Sequence, residues 1–363
     1  MRSVSGRRGR GTLCLLAIPF AVLLLCPVAQ GAYDPVGSGA VSIRFERSFL
    51  SFLKSDGIRV SAAAPARVNK GTVLLPVSAG LMDPTLGKSS IEAEGSFAFQ
   101  SARKRVPFRA VKTKTKHSPL IAKVGGSQLK IATAGRLAAG RTGFDAKFSA
   151  RSLRLTAKVA TRLNKKLRPL HPFVAGQLVG SMVTNANPQT VTVLPEGKVS
   201  MELQPDFIAK LNSLLISVNP IFPAEHSGSL FTVPVIPGGT LAPAANGGTL
   251  KTGGDLEFLQ LHSNTQIFMH ELWFDFALRM QTGEIDIEPS PPYRGKLGRV
   301  SIFDLSGGSV STDAGARTIG VSDAQLLMQP AIASAFNEAF GEGGTPFTPG
   351  ETIAKLSFVA QTQ

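Results

Sequence analysis

Five histidines are the first candidates for chemistry: His117, His171, His226, His262 and His270. No two stand in a His-x-x-x-His or His-x-His spacing, so the sequence signals no zinc site. Nucleophilic catalysis asks for a serine on a tight strand-to-helix turn with a base nearby. The run GGSVS at Gly307–Ser311 lacks that pattern. His270 and Glu271 are neighbours on an expected strand, which sends their side chains to opposite faces and separates them as a dyad. His270, surrounded by phenylalanine and leucine, reads as a hydrogen-bonded core residue, and Trp273 reads as a packing residue. Both cysteines, Cys14 and Cys26, fall within the first 31 residues. A chain cleaved after Gly31 has no thiol, no disulfide and no thiolate metal site. No catalytic constellation is present, and the expectation is a protein that is not an enzyme.

Charge is the second chemical feature. Residues 32–195 hold 26 bases and 7 acids, net +19, whereas residues 196–363 hold 9 bases and 17 acids, net −8. The densest stretch, residues 101–170, has 19 bases and Asp145 as its one acid. On an extended segment Lys112, Lys114 and Lys116 line one strand face about 7 Å apart. A basic surface on an exported protein suits anionic partners such as envelope polymers or lipid headgroups. The same bases also suit a soluble, self-repelling face, strand-edge lysines that block edge-to-edge pairing, or a basic first half docked on the acidic second. Aromatic side chains do not interleave with the bases, which argues against nucleic acid.

The elements that carry these residues occur twice. Leu75-Pro76-Val77 answers Val233-Pro234-Val235, and Ile91, Gly95, Phe97 and Phe99 answer Leu250, Gly254, Leu256 and Phe258. The spacing from first proline to last glycine is 19 in one copy and 20 in the other. Upstream, Val41–Val60 faces Val199–Val218; downstream, Leu153–Leu167 faces Leu326–Phe340, with Asn164 opposite Asn337. Four collinear matches indicate duplication of one module, each copy of ordinary domain length. Alternating runs such as Ser96–Phe99 and Glu284–Glu288, with frequent turn signals, predict strands. In the run Ile267–Met280, simple alternation puts Phe268, His270, Leu272, Phe274, Phe276 and Leu278 on one face. Helical spacing at Phe45, Phe49, Phe52 and Leu53, and at Leu155, Val159, Leu163 and Leu167, predicts two short helices per copy. Ser322 or Asp323 is the expected cap of the last helix, which leaves Pro330 in its early turns. The fold class is mainly β: two β-sandwich, immunoglobulin-like domains at 32–183 and 199–363, joined by a linker at 184–198.

Residues 1–31 read as a cleaved secretory signal peptide, with a basic start, an apolar run from Leu13 to Leu25 and small residues at Ala29-Gln30-Gly31. An uncleaved membrane anchor is the alternative. A secreted or envelope-associated location follows.

The order of these motifs resembles the HtaA-type domain of secreted and cell-wall actinobacterial proteins. Carrying the resemblance are the opening aromatic helix, the proline strand, the Gly-x-Phe-x-Phe strand, the run LTAKVATRLN at Leu155–Asn164 and the closing Phe173-Val174-Ala175-Gly176. Both copies are covered. The resemblance implies a β-sandwich with short helices, extracellular location and haem capture for iron acquisition. Haem-binding members carry a tyrosine in the opening helix, where a phenolate ligates ferric iron. This chain has Phe49 and Phe52 there in the first copy, and Phe207 and Leu211 in the second. The family histidine after the Gly-x-Phe strand is matched by His262, while the first copy has Gln100-Ser101-Ala102. By resemblance, haem is the cofactor and His262 its ligand.

Overall fold

Alternation of apolar and polar residues decides most of this chain. In the computed structural model, residues 33–83, 88–114, 119–288 and 295–363 are described. The proposed signal peptide, Lys116 and His117 lie outside them. The first copy runs β1 (Asp34–Phe45), α1 (Arg47–Ser55), β2 (Arg59–Ala63), β3 (Arg67–Asn69), β4 (Thr72–Asp83), β5 (Lys88–Gln100), β6 (Arg105–Lys114), β7 (Leu120–Val124), β8 (Ser127–Thr142), β9 (Asp145–Leu155), α2 (Ala157–Leu167) and β10 (Leu178–Pro188). The second runs β11 (Val191–Thr192), β12 (Lys198–Leu203), α3 (Pro205–Ser213), β13 (Ile216–Ile221), β14 (Glu225–Ser227), β15 (Leu230–Pro234), β16 (Thr240–Leu241), β17 (Gly248–Lys251), β18 (Asp255–Gln260), β19 (Thr265–Asp275), β20 (Met280–Glu288), β21 (Gly295–Asp313), β22 (Thr318–Met328), α4 (Pro330–Phe340) and β23 (Thr352–Gln361). The order is the same in both. The second copy breaks the counterparts of β1, β4 and β5 into β11/β12, β15/β16 and β17/β18.

The fold is mainly β with two helices per copy, as the patterns require. Each copy's layers are the walls of one antiparallel sheet rolled on itself. In the first copy the ring β1-β4-β5-β6-β7-β8-β9-β10 closes because β4 pairs with β5, from Val77 opposite Ala93 to Asp83 opposite Lys88. In the second copy this closure shrinks to the bridge between Val235 and Thr252 and the short β16–β17 pair. Residues facing inward form the two cores. On β1, Val41, Ile43 and Phe45 are buried while Arg44 between them is exposed. Helix α1 adds Phe49 and Leu53, four apart on one face, and both are buried. Burying one such side chain is worth about 1.5–3 kcal/mol. Phe49 meets Phe45, Phe52, Phe99 and Phe173 at ring distances of 5.7, 6.0, 5.9 and 6.4 Å.

Three expectations are corrected here. The alternation along Ile267–Met280 breaks at Glu271, which has a positive φ of 48° and marks a shift in strand register. Ile267, Met269, Leu272, Phe274 and Phe276 are therefore buried, while Phe268 and His270 turn to the outer face. Helix α4 begins at Pro330, with Gln329 as its cap, so the proline occupies the first helical position, where its missing N–H costs nothing. Ser322 and Asp323 belong to β22. Of the stretch expected to be a linker, residues 184–188 pair within β10 against β1.

The two asparagines matched in the repeat have one job. Asn164 on α2 donates Nδ2 to the Phe173 carbonyl at 2.9 Å and accepts the Phe173 N–H at 2.8 Å. Asn337 on α4 makes the same two bonds with Phe347, both at 2.8 Å. Each amide completes the backbone pairing of the segment that closes the core, where Phe173 and Phe347 are buried. Gly95 and Gly254 match for a similar reason. Their φ values are +80° and +86°, and an added Cβ would lie 2.7 Å from the Ala66 nitrogen or 2.4 Å from the Ala224 nitrogen.

Residues 32–363 form one compact unit. Equivalent parts of the two copies meet inside it. Asp34, at the start of β1, accepts the Thr192 N–H at 3.1 Å and its hydroxyl at 3.2 Å, and Thr192 lies on β11, the counterpart of that same start. Phe144, at the tip of the β8–β9 hairpin, is part of the second copy's core. Gly143 sits against Ala314 of the equivalent β21–β22 turn. Asp34 is 1 % exposed. Desolvation pushes its carboxyl up from the ordinary range, against the opposing pull of the Thr192 bonds and of Arg141. The same burial lowers the Arg141 guanidinium.

Replacing Asn164 or Asn337 by alanine should cost about 1–3 kcal/mol each, because two buried backbone groups lose their partners. The two losses should add, being in separate cores, and chemical denaturation of the single and double variants measures this. Raising a carboxyl's pKa on folding disfavours its ionised form, so Asp34 weakens the fold at neutral pH and ceases to do so once protonated in both states. Asp34→Asn should raise Tm at pH 7, and the gain should shrink as pH falls and vanish below the ordinary value of 3.8. A Tm difference independent of pH would contradict this.

Candidate functional site

The basic face is built by the outer sides of β6 to β9. On β6, Phe108 and Val111 point inward, and the positive φ of 46° at Ala110 between them shifts the alternation. Arg109 and Lys112 consequently both look outward. Lys112 and Lys114 flank the buried Thr113 and share that outer side. Glu92, directly opposite on β5, forms an ion pair with Lys112. Lys114 makes no ion pair among the described residues, and Lys116 lies outside them.

Sequence spacing missed two cross-strand pairs. Arg109 stands directly opposite Lys123 on β7, and Arg136 on β8 stands directly opposite Arg151 on β9. All four are exposed. Such partners have Cβ atoms about 5 Å apart, and like charges in that position repel. Among the described residues no carboxylate forms an ion pair with any of them. Their signal lies in strand register, which the sequence does not print.

His262 lies in the turn after β18. Its Nε2 contacts the carboxylate of Glu342, and both side chains are well exposed. Gln260, almost wholly buried, holds that turn to the ends of two helices by donating to the Leu214 and Phe340 carbonyls, each at 3.3 Å. A second imidazole occupies the corresponding end of the first copy. His171 Nδ1 lies 2.8 Å from Asp56 Oδ1, just beyond α1.

A haem of the kind that the motif resemblance implies asks for a phenolate from the opening helix. Phe49 and Phe207, at matching positions of α1 and α3, are buried hydrocarbon rings. The first copy does not fit such a haem. The second offers the single imidazole of His262, already engaged by Glu342. Among the described residues no group of three or more histidine, cysteine, aspartate or glutamate side chains is placed to hold a metal ion.

His270 is hydrogen-bonded but is not a core residue. It lies half-buried on the outer face, 2.9 Å from Asp255 and stacked on Phe268 at 5.8 Å. Trp273, half-buried on the same face, holds the ammonium of Lys251 at 4.0 Å and the guanidinium of Arg299 at 3.5 Å from its ring centroid. Such stacking suits a packing role. No helix among the described residues is long and apolar enough to cross a membrane.

No protein-family model and no curated protein matches the chain. Solved structures do. The C-terminal domain of HtaA from Corynebacterium glutamicum is 16 % identical and matches 48 % of this chain and 99 % of its own, with a TM-score of 0.36. The N-terminal domain of the same protein is 14 % identical and matches 47 % of this chain and 98 % of its own, with a TM-score of 0.37. The chain's structural neighbours are HtaA domains, each spanning less than half of its length.

Proposed function

We propose that this is a non-enzymatic binding protein of the cell envelope, of the HtaA type, whose basic copy holds a phosphate-bearing envelope polymer or lipid headgroup. The observation that carries this reading is the pair of unanswered like-charge positions, Arg109 with Lys123 and Arg136 with Arg151, on one outer wall. Their repulsion is relieved when a polyanion lies across them. Lys114 adds to that wall, whereas Lys112 spends its charge on Glu92. Export through the amino-terminal segment supplies the location. A haem-acquisition role rests on the motif resemblance and on His262, the one family-matched donor. In this reading the first copy tethers and the second presents the ligand.

The chain from residue 32 onward should be retained on immobilised teichoic acid and on phosphatidylglycerol vesicles at low salt. It should be released as salt shortens the screening length from about 10 Å at 0.1 M to about 3 Å at 1 M. Reversing Arg109, Lys114 and Lys123 to glutamate should abolish retention, and salt-independent retention would refute the tether. Hemin titration should give a Soret shift that disappears in His262→Ala. A shift that survives this change removes His262 from the site, and no shift at all removes haem.

A further inference from the structure

Both rolled sheets are open at the same place. In the first copy β7 is five residues long and pairs with β8 only as far as Ala132. Beyond it, Thr133–Thr142 pair on one side alone, with β9. In the second copy β20 pairs with β21 as far as Asp304, and Ser306–Asp313 pair only with β22. Residues that face inward are exposed along both stretches. Ala139 is the partner of buried Phe148, and Leu137 of buried Ala150, yet Leu137 is 40 % exposed. Val310 is the partner of buried Val321 and is 52 % exposed. Ala139–Phe148 and Val310–Val321 are each the fourth pair from the hairpin turn, so these are one position seen twice.

A cavity opens through each gap. The first, of about 180 Å³, reaches Phe148 on β9 and Met182 and Thr184 on β10. The second, of about 350 Å³, is lined by Phe276, Leu305, Val310, Val321 and Ala324. Among the described residues each has one cation in its lining, Lys114 in the first and Arg279 in the second, and neither forms an ion pair with another of them. Thr184 is fully buried in the lining of the first cavity, and its hydroxyl has no hydrogen-bond partner among the described residues. Buried hydroxyls are nearly always paired, so an unmade bond in a cavity's lining marks a place for a ligand atom.

We infer that the gap beside β7 is a binding pocket for a small apolar monocarboxylate, and that the second copy's gap takes a larger member of the same class. The apolar body lies against Phe148 and Met182, a polar atom meets the Thr184 hydroxyl, and the carboxylate pairs with Lys114. An apolar cavity of about 150 Å³ suffices for a ring the size of benzene, so a space of this order holds a short chain or one ring. An extended peptide added to the free edge of β8 fits less well, because the cavity runs past that edge to the far strand β10. The inference shares Lys114 with the outer wall of the envelope reading but needs neither Arg109, Lys123 nor His262, and Thr184→Val, which leaves every base of that wall in place, separates octanoate binding from polyanion retention.

The test is a titration of the chain from residue 32 onward, methyl-labelled at methionine, with sodium octanoate. The Met182 methyl resonance should move saturably. Lys114→Glu should weaken binding about tenfold, as loss of a charge-assisted bond does. Thr184→Val, nearly isosteric, should also weaken it while leaving Tm equal or higher, a combination that a purely structural threonine does not give. Ala139→Trp should fill the space and remove the response. No saturable movement in the unaltered chain overturns the inference. So does octanol binding as tightly as octanoate with Lys114→Glu without effect, which would leave an unselective apolar hole. In a second, uniformly nitrogen-labelled sample, amide resonances of Thr133–Thr142 that respond to an extended peptide but not to octanoate would assign the edge to strand docking instead.

Discussion

The structure depends on one constraint, the pairing of β4 with β5 that closes an antiparallel sheet on itself. A sheet with one apolar face must cover that face, and an open sheet leaves two unpaired edges. Rolling solves both at once. Inward residues of opposite walls become each other's cover, and the helices close the remaining end. Asn164 and Asn337 recur because a closing segment that pairs with no strand still needs its amide and carbonyl satisfied. Gly95 and Gly254 recur because the chain crosses another backbone there too closely for a Cβ.

Once the inside is committed to apolar packing, the outside is free to diverge. The first copy has filled its outer wall with bases, including pairs that strand register sets face to face. The second has taken on acids and a Lys–Trp–Arg stack. The seam between them follows from duplication, since equivalent strand starts and equivalent hairpin tips meet. Burying Asp34 there carries an electrostatic cost, which the Thr192 bonds and the nearby guanidinium offset in part. Where β7 and its counterpart β20 stop pairing, the consequence is opposite to closure, and apolar inner wall lies open to solvent in both copies.

Much of the fold was legible in the sequence. The repeat, the strand-rich class and the helices at Phe49–Leu53 and Val159–Leu167 all come from local spacing, because side-chain period and backbone period are the same physical fact. The helix start at Pro330 is not legible, because an earlier serine and aspartate offer a competing cap. The outward turn of His270 is not legible, because one residue of positive φ at Glu271 sets the side chains before it out of phase with those after it, and such a bulge leaves no mark in an alternation count. Of the candidate site, the abundance of bases was legible, but Lys112's partnership with Glu92 was not, since the two are 20 residues apart.

The sequence by itself determined that one β-module is present twice, that the two copies differ sharply in charge, and that the opening helices carry phenylalanine and no tyrosine. These are statements of residue type and local order, and no tertiary contact alters them. Only the tertiary structure decided which bases face each other, which carboxylate is buried between the copies, and where the rolled wall stays open. Those depend on register and closure, set by hydrogen bonds between strands distant along the chain.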